Sequence, residues 1–506
     1  MAHSLFAKKT MAQLEAELQG EQRLRRVLGP ITLTSLGIGA IIGTGIFVLT
    51  GLAAKEFAGP GLMLSFVFAG IGCAFAGLCY AEFASMIPVA GSAYTYAYAT
   101  LGELMAWVIG WDLILEYAMG SSTVAYGWSK YFAKLMSLFD VKFPIWFAND
   151  YWSATALLKE ATEKGTTDEL LALYSSIEIP SVFGIPFAAN FLALFIIAVV
   201  TVVLVIGIRE SARFNATMVV IKLAVVLFVI FVGSSYINRA NWTPFLPFGL
   251  AGVMRGAGRI FFAYIGFDSI STHAEEAKNP QRDVPIGILS SLGICTILYI
   301  LVTAVLTGMV KYDQIDIGAP VASVFSNYGL NIAVFLVSVG AVAGITSVML
   351  VMLLSQPRVF LAMARDGLLP RKVFGVVHPR FRTPHRATIL TGTVCGVVAA
   401  LTPIDILADM VNIGTLLAFV IVCAAVLILR RTHPNQRRPF RTPWVSFVSI
   451  AGILANLALM LSLPLDTWAR LIIWLVIGLI IYFVYSRKHS VIAEAQGAQA
   501  AKQAGS

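Results

Sequence analysis

Four ionisable side chains lie within long apolar stretches of the sequence, where they could bind a charged molecule or exchange a proton: Lys222, Asp268, Glu116 and Asp112. An ionisable residue in such a stretch is costly inside a membrane and is a functional candidate by default. Lys222 has apolar neighbours on both sides. Because burial favours the neutral amine, Lys222 could exchange a proton near physiological pH. Alternatively, its ammonium could permanently replace a sodium ion, or form a static pair with a neighbouring carbonyl or acid.

Each of the acidic residues also has two interpretations. Asp268 could pair with a cationic group of a bound molecule, or it could only cap the helix that follows it. Glu116 lies near the middle of its apolar stretch, with Asp112 one helical turn earlier. Either carboxylate could face a binding pocket and favour a cationic side chain. The alternative is a buried pair that ties two helices together.

The stretch from Gly37 to Phe47 predicts a helix that breaks inside a membrane. It contains four glycines in an otherwise apolar segment, and each glycine costs roughly 1 kcal/mol in a helix interior. An interrupted helix exposes backbone N–H and C=O groups, which a membrane tolerates only where they line a cavity buried in protein. The glycine spacing does not match the dinucleotide-binding fingerprint. The remaining alternative is that the glycines only allow helices to pack closely.

A second interruption at Phe261 to Asp268 makes the binding interpretation stronger. Gly256, Gly258 and Gly266 weaken this helix. Two broken spans at matching positions of two halves are the sequence pattern of an inverted-repeat transporter. The helical segment after each break offers a positive end that suits a carboxylate, while unwound carbonyls can accept an ammonium group. An amino-acid backbone carries both charges.

The composition supports an integral membrane protein. The chain is 58% hydrophobic and 12% charged, whereas soluble domains have about 25% charged residues. Strand-like alternation over ten-residue segments is absent, which argues against an outer-membrane barrel. All five cysteines fall in apolar stretches, without metal-ligand spacing. No nucleophile motif, cofactor fingerprint or His/Cys/Asp cluster favours a membrane enzyme, and we expect no cofactor and no metal.

About twelve apolar segments are long enough to cross a bilayer. We expect a first repeat over residues 31–235, a second over 249–430, and two extra spans over 444–486. These form a transmembrane domain over 28–486, flanked by an amphipathic segment at 1–27 and a disordered tail at 487–506. Our span boundaries are about 31–54, 61–86, 103–128, 186–207, 214–235, 249–274, 286–310, 332–362, 387–402, 406–429, 444–463 and 467–486.

The distribution of basic residues predicts the orientation. Alternate loops hold nearly all of them, including the cluster at Arg23–Arg26, the segment Arg358–Arg386 and the run Arg430–Arg441. This asymmetry places both termini in the cytoplasm, and the long loop at about 130–185 outside as a small acidic cap. It also explains the net charge of +9 without nucleic acid, because no basic stripe with interleaved aromatic residues is present.

Several ordered motifs extend this interpretation to a known family. The chain resembles the amino acid–polyamine–organocation superfamily of transporters, and more closely the cationic amino acid transporter branch and its bacterial members. The motifs that carry the resemblance are Gly39-Ala-Ile-Ile-Gly-Thr-Gly-Ile-Phe47, Cys79-Tyr-Ala-Glu-Phe83, Pro88-Val-Ala-Gly-Ser-Ala-Tyr94, Tyr264-Ile-Gly-Phe-Asp268, Glu275-Glu-Ala-Lys-Asn-Pro-Gln-Arg-Asp-Val-Pro-Ile-Gly287 and Pro357-Arg-Val-Phe-Leu-Ala-Met-Ala-Arg-Asp-Gly-Leu-Leu-Pro370.

The resemblance implies an all-α, leucine-transporter-like fold of five-plus-five inverted repeats with two C-terminal helices. It also implies alternating access, with the substrate held at the two breaks. The substrate-binding positions that it implies are Ile41, Gly43, Thr44 and Gly45 in the first break, Phe262, Ala263, Tyr264, Ile265 and Asp268 in the second, and Gly120 and Ser121 in the third span, to which we add Glu116.

The resemblance also bears on coupling and substrate. Lys222 matches a lysine that occupies the sodium-site region of proton-coupled relatives, with Thr346 and Ser347 as expected neighbours. We therefore expect an H⁺-coupled importer in the inner cell membrane, although some relatives are exchangers or facilitators. The substrate is expected to be an L-amino acid, either cationic like arginine and lysine or neutral like alanine. An amino acid sensor that binds without transport is the other alternative, and a small membrane subunit remains compatible with the family.

Overall fold

The computed structural model describes residues 5, 7–9, 28–86, 92–164, 174–206, 212–381 and 383–492. The described part is almost entirely helical, and its twelve apolar helical segments agree with the predicted number. The first five spans are Pro30–Ile41 with its continuation Gly45–Leu49, Thr50–Ala53 and Ala54–Ala58; Leu62–Met86; Glu103–Ser137; Phe191–Ile206; and Ala212–Ser234.

The next seven spans complete the second repeat and add a C-terminal pair. The sixth span consists of Gly249–Ile260, Phe261–Tyr264 and Ser269–Thr272. The others are Pro280–Met309, Asn331–Arg365, His385–Leu401, Ile404–Thr432, Val445–Leu461, and Leu465–Ile481 with its continuation Tyr482–Ser486 and Arg487–His489.

Short elements connect the spans. Three are short α-helices, Ser92–Thr100, Tyr151–Lys164 and Pro320–Ser326. The others are the helical turns Gly59–Gly61, Ile145–Ala148, Arg239–Trp242, Ala274–Glu276, Tyr312–Gln314 and Arg371–Phe374, and one antiparallel hairpin of Ser181–Val182 with Ile185–Pro186.

Six helices of the described part are long and apolar enough to cross a membrane by length and composition alone. They are Gly45–Met86, Thr217–Ser234, Pro280–Met309, Asn331–Arg365, Ile404–Thr432 and Leu465–His489. Four apolar helices are shorter: Pro30–Ile41, Phe191–Ile206, His385–Leu401 and Val445–Leu461. The third span, Glu103–Ser137, carries more charge, and the sixth span is divided into the short segments given above; these two complete the twelve.

The packing of the spans repeats between the two halves. The first span packs on the seventh, as the sixth packs on the second. The fifth packs on the eighth, as the tenth packs on the third. The second and seventh, the third and eighth, and the fourth and ninth spans also pack on each other. This is the packing pattern of five-plus-five repeats, in which the third and eighth spans are central.

Three predicted boundaries differ from the structure by five residues or more. The seventh span begins at Pro280 rather than near residue 286, because Pro280 suits the first turn of a helix. The third span continues to Ser137 rather than ending near residue 128, because Tyr131 and neighbouring aromatic residues keep the helix packed. Tyr131 is buried, and its hydroxyl donates to the Phe47 carbonyl at 2.7 Å. The fourth span begins at Phe191 rather than 186, because the Asn190 side chain caps it by accepting from the Ala193 N–H at 3.0 Å.

Both described ends of the chain lie on one face, which we call the terminal face. The Ala7 carbonyl accepts from the Glu103 N–H at 3.0 Å, and the Lys9 ammonium lies 2.7 Å from the Asp366 carboxylate. At the other end, the Val491 N–H donates to the Asp366 carbonyl at 3.1 Å. Residues 487–492 of the predicted tail belong to the described part: Arg487–His489 is helical, and Ser490 and Ile492 are buried. Residues 493–506, and most of the predicted segment at 1–27, lie outside the described part.

Candidate functional site

The first span is broken at Ile42 and Gly43. Its first helix ends at Ile41, and Ile42 has an extended backbone with ψ 103°. Helical structure resumes with the wide turn Gly45–Leu49. Within the described residues, the backbone N–H groups of Gly43, Thr44 and Gly45 donate to no backbone carbonyl. Three successive free donors at the start of a helical segment form a site with the polarity to attract a carboxylate.

The same break deprives three carbonyls of their helical partners. The Gly39 carbonyl accepts from the Lys222 ammonium at 2.6 Å, and the Ile41 carbonyl lies 3.0 Å from the Tyr299 hydroxyl. The Ala40 carbonyl between them receives no hydrogen bond from any described residue. It is thus a buried acceptor that an ammonium group could use.

The second break has the same form in the sixth span. The tight turn Phe261–Tyr264 is followed by Ile265, which is extended with ψ 136°, and by Gly266, whose φ of +117° favours glycine. In the described structure, the N–H groups of Gly266, Phe267 and Asp268 donate to no backbone carbonyl. The short helix Ser269–Thr272 then follows.

The two breaks are in direct contact. A β-carbon at Gly45 would lie 2.4 Å from the Cα atom of Ala263, and one at Gly266 would lie 2.8 Å from the Ala40 carbonyl oxygen. Only glycine permits this approach of two backbones. The Tyr299 hydroxyl joins them further, because it lies within hydrogen-bonding distance of both the Ile41 carbonyl and, at 2.8 Å, the Ala263 carbonyl.

Asn412 on the tenth span supports the second break. Its side chain is fully buried, and its Nδ2 donates at 3.0 Å to both the Gly258 and the Arg259 carbonyls. The sequence analysis did not identify Asn412 or Tyr299. An uncharged polar residue in an apolar span was the available signal, because such side chains seek hydrogen bonds within a membrane.

The third and eighth spans enclose the first break. A β-carbon at Gly43 would lie 3.0 Å from Val348, and one at Gly120 would lie 3.1 Å from the sulfur of Met352. Thr44 is buried against Gly127 of the third span. Val348 and Met352 are thus apolar wall residues that the sequence analysis did not name.

Most of the predicted binding positions lie at the two breaks, but the side chain of Tyr264 points away from them toward the second span. The Tyr264 hydroxyl donates to the Phe66 carbonyl of the second span at 2.8 Å, so its side chain is engaged in helix packing. The predicted positions are all buried: Ile41, Gly43, Thr44, Gly45, Glu116, Gly120, Ser121, Phe262, Ala263, Tyr264, Ile265 and Asp268.

The predicted neighbours of Lys222 are engaged elsewhere. The Thr346 hydroxyl donates to the Val342 carbonyl at 2.7 Å and accepts from the Trp128 indole at 3.0 Å. The Ser347 hydroxyl donates to the Gly344 carbonyl at 3.2 Å. Gly344 itself packs on the Lys222 stem, since a β-carbon there would lie 3.0 Å from Lys222 Cγ. Lys222 therefore lies between the first and eighth spans, but among the described residues it hydrogen-bonds only to the first.

Asp112, Glu116 and Asp268 are buried and form no ion pair with a described basic residue. Both oxygens of Asp112 and one oxygen of Glu116 make no hydrogen bond within the described part of the chain. Asp268 occupies the N-cap position of Ser269–Thr272, and its carboxylate interacts with the backbone N–H groups of Gly266, Asp268 and Ser269. The Glu116 carboxylate interacts with Thr415 of the tenth span. The capping alternative for Asp268 and the helix-tying alternative for Glu116 thus each have a supporting contact, whereas Asp112 has no hydrogen-bond partner within the described residues.

The sequence comparisons agree with this architecture. A family model described as amino acid permease matches residues 28–484. The chain belongs to the amino acid permease family. It is accordingly a membrane transporter rather than an enzyme. The permease is 47% identical to the branched-chain amino acid permease BcaP of Bacillus subtilis (strain 168), over 97% of this chain and 99% of the relative.

Other relatives of the permease differ in their named substrates. It is 44% identical to the methylthioribose transporter of Bacillus subtilis (strain 168), over 97% of this chain and 99% of the relative. It is 38% identical to the vacuolar cationic amino acid transporter 2 of Arabidopsis thaliana, over 86% of this chain and 64% of the relative. The expected likeness to bacterial permeases and cationic amino acid transporters is confirmed, and the substrate differs among them.

Proposed function

We propose that the permease imports an L-amino acid by alternating access, coupled to protons, across the bacterial cell membrane with both termini in the cytoplasm. The observation that carries this proposal is the contact of the two breaks. The N–H groups of Gly43–Gly45, which donate to no backbone carbonyl of the described residues, suit the α-carboxylate. The unoccupied Ala40 carbonyl beside Gly266 suits the α-ammonium.

Lys222 supports the proton-coupled form of this proposal. The protonated Lys222 side chain donates a charge-assisted hydrogen bond to the Gly39 carbonyl. A neutral amine in a water-poor site is a weaker donor, so loss of the proton would loosen the first break. Proton release thereby frees the first span to move. This movement would link the proton gradient to the opening of the substrate site toward one side of the membrane.

We propose a neutral apolar side chain for the substrate. Val348 and Met352 form an apolar wall beside Gly43 and Gly120, and BcaP is named for branched-chain amino acids. A cationic side chain is the second candidate, because Glu116 and Asp112 are buried without a basic partner in the described structure. Broad specificity would combine both features.

Methylthioribose is a candidate from a different chemical class, because a relative is named for it. It has neither a carboxylate nor an ammonium group, so it would leave the polarity of the two breaks unused. Competition distinguishes the two substrate classes. An amino acid methyl ester, which lacks the carboxylate charge, should fail to compete for the site.

Uptake into proteoliposomes tests the proposal. The purified permease is reconstituted, and uptake of labelled L-leucine, L-arginine and methylthioribose is measured with and without an inward proton gradient. We expect leucine to accumulate only with the gradient, and an ionophore that collapses it should abolish accumulation. Binding without accumulation would favour a sensor, and gradient-independent equilibration would favour a facilitator or exchanger.

A further inference from the structure

Asn412 and Lys222 have matching positions in the two repeats. Lys222 lies on the fifth span, which packs on the broken first span; Asn412 lies on the tenth, which packs on the broken sixth. Both side chains are fully buried. Lys222 donates to the Gly39 carbonyl, and Asn412 donates to the Gly258 and Arg259 carbonyls, in each case near the end of the helix before the break.

We infer that Asn412 is a positioning residue that fixes the second break as Lys222 fixes the first. This inference rests on the proposed function, because it assigns a role in holding the substrate-binding backbone. Both protons of the Asn412 amide are used, one on each carbonyl. The two carbonyls are thereby held at fixed positions relative to the tenth span, and the turn Phe261–Tyr264 starts from them.

The chemical difference between the two side chains gives them different roles. A lysine can release its proton, whereas a carboxamide keeps its protons at every physiological pH. The hold of Asn412 on the sixth span therefore persists when the hold of Lys222 on the first span is released. The second break is the fixed half of the binding site, and the first break is the half that responds to protons.

A second buried asparagine provides a matched control. Asn456 on the eleventh span is also fully buried, and its Nδ2 donates to the Gly452 carbonyl at 2.7 Å and the Gly72 carbonyl at 3.4 Å. Like Asn412, it has an Oδ1 without a hydrogen bond among the described residues. Its two acceptors lie on the second and eleventh spans rather than on a broken span. A general structural effect of losing a buried asparagine should therefore appear equally in both positions.

Hydrogen exchange followed by mass spectrometry tests the inference without a substrate. In Asn412→Ala and Asn412→Asp, we expect peptides covering 258–268 to exchange about tenfold faster or more, because two hydrogen bonds that hold this segment are lost. Peptides covering 37–47 should be unchanged. Asn456→Ala should leave both segments unchanged. Equal exchange of 258–268 in the parent and both Asn412 variants would overturn the inference, as would a uniform increase over both segments.

Transport kinetics provide the functional readout. For L-leucine uptake, Asn412→Ala should raise KM about tenfold while the ratio of uptake with and without the proton gradient stays at the parent value. Asn456→Ala should keep the parent KM. If the parent takes up no amino acid, the proposed function fails and the exchange result still decides the inference. If the parent takes up leucine and Asn412→Ala has the parent KM, only the positioning role is refuted.

Discussion

The Lys222 ammonium donates its hydrogen bond to the Gly39 carbonyl, the acceptor that the first break deprives of its partner Gly43. In an uninterrupted helix the N–H of residue 43 would occupy this carbonyl. A side chain from the fifth span thus replaces a backbone donor of the first span. Because that side chain can lose its proton, the stability of the break is linked to the proton gradient in the mechanism that we propose.

Replacement of Lys222 by methionine should uncouple transport. Lys222→Met retains the apolar stem but removes the donor, so the Gly39 carbonyl is left without a partner. We expect loss of gradient-driven leucine accumulation, by at least tenfold, in proteoliposomes. Lys311→Met is the control, because Lys311 is half-exposed and pairs with Asp313, whose side chain is also half-exposed. Full accumulation by Lys222→Met would contradict the coupling role.

A methyl group at Gly266 should separate the two breaks. A β-carbon there would lie 2.8 Å from the Ala40 carbonyl oxygen, and the backbone has φ +117°. Both the clash and the strained conformation oppose alanine. We expect Gly266→Ala to abolish leucine uptake. Gly293→Ala is the control. A β-carbon at this helical glycine would meet no atom within 4 Å apart from the backbone of its own helix, so alanine should preserve uptake. Retained uptake in both variants would show that close contact of the breaks is dispensable.

The sequence could predict the breaks and Lys222 because each violates what an apolar helix tolerates. Glycine clusters destabilise a helix, and a charged side chain is costly to bury, so each indicates a candidate functional position. The sequence did not reveal Tyr299 and Asn412, because burial of a tyrosine or an asparagine in a span has a small free-energy cost when its side chain hydrogen-bonds to a carbonyl. Which carbonyl it finds depends on tertiary packing. The same limit applies to Thr346, which was expected beside Lys222 but bonds with Trp128, since helix rotation decides the partner.

Glu82 should be important for stability. Its buried carboxylate accepts two hydrogen bonds from Arg430, both at 2.8 Å, and one from the Thr442 N–H at 2.8 Å. It thereby fixes the loop after the tenth span to the second span. Loss of one partner of a buried ion pair costs about 3 kcal/mol or more.

We therefore expect Glu82→Gln to lower the thermal unfolding midpoint of the purified permease clearly. The control is Asp466→Asn, which removes an exposed pair with Arg470 and should leave the midpoint nearly unchanged. The prediction is wrong if the two variants unfold at the same temperature.

Asp366 should hold the N-terminal segment, residues 7–9, against the terminal face. Its carboxylate lies 2.7 Å from the Lys9 ammonium and accepts from the Tyr94 hydroxyl at 2.7 Å. Ala7 is buried beside this contact, whereas Lys8 is exposed. A cysteine at position 7 therefore reports whether the N-terminal segment is docked, and the native cysteines do not interfere because all five are buried.

We expect Ala7→Cys to react slowly with a polar maleimide in the purified permease, and about tenfold faster when Asp366→Ala is added, because the ion pair of Asp366 with Lys9 that retains the segment is lost. Lys8→Cys should react rapidly in both backgrounds, which controls for reagent access. High salt should accelerate the reaction of Ala7→Cys when Asp366 is present, since it screens the partly exposed ion pair between Lys9 and Asp366. Equal reaction rates at position 7 with and without Asp366 would mean that other contacts hold the segment in place.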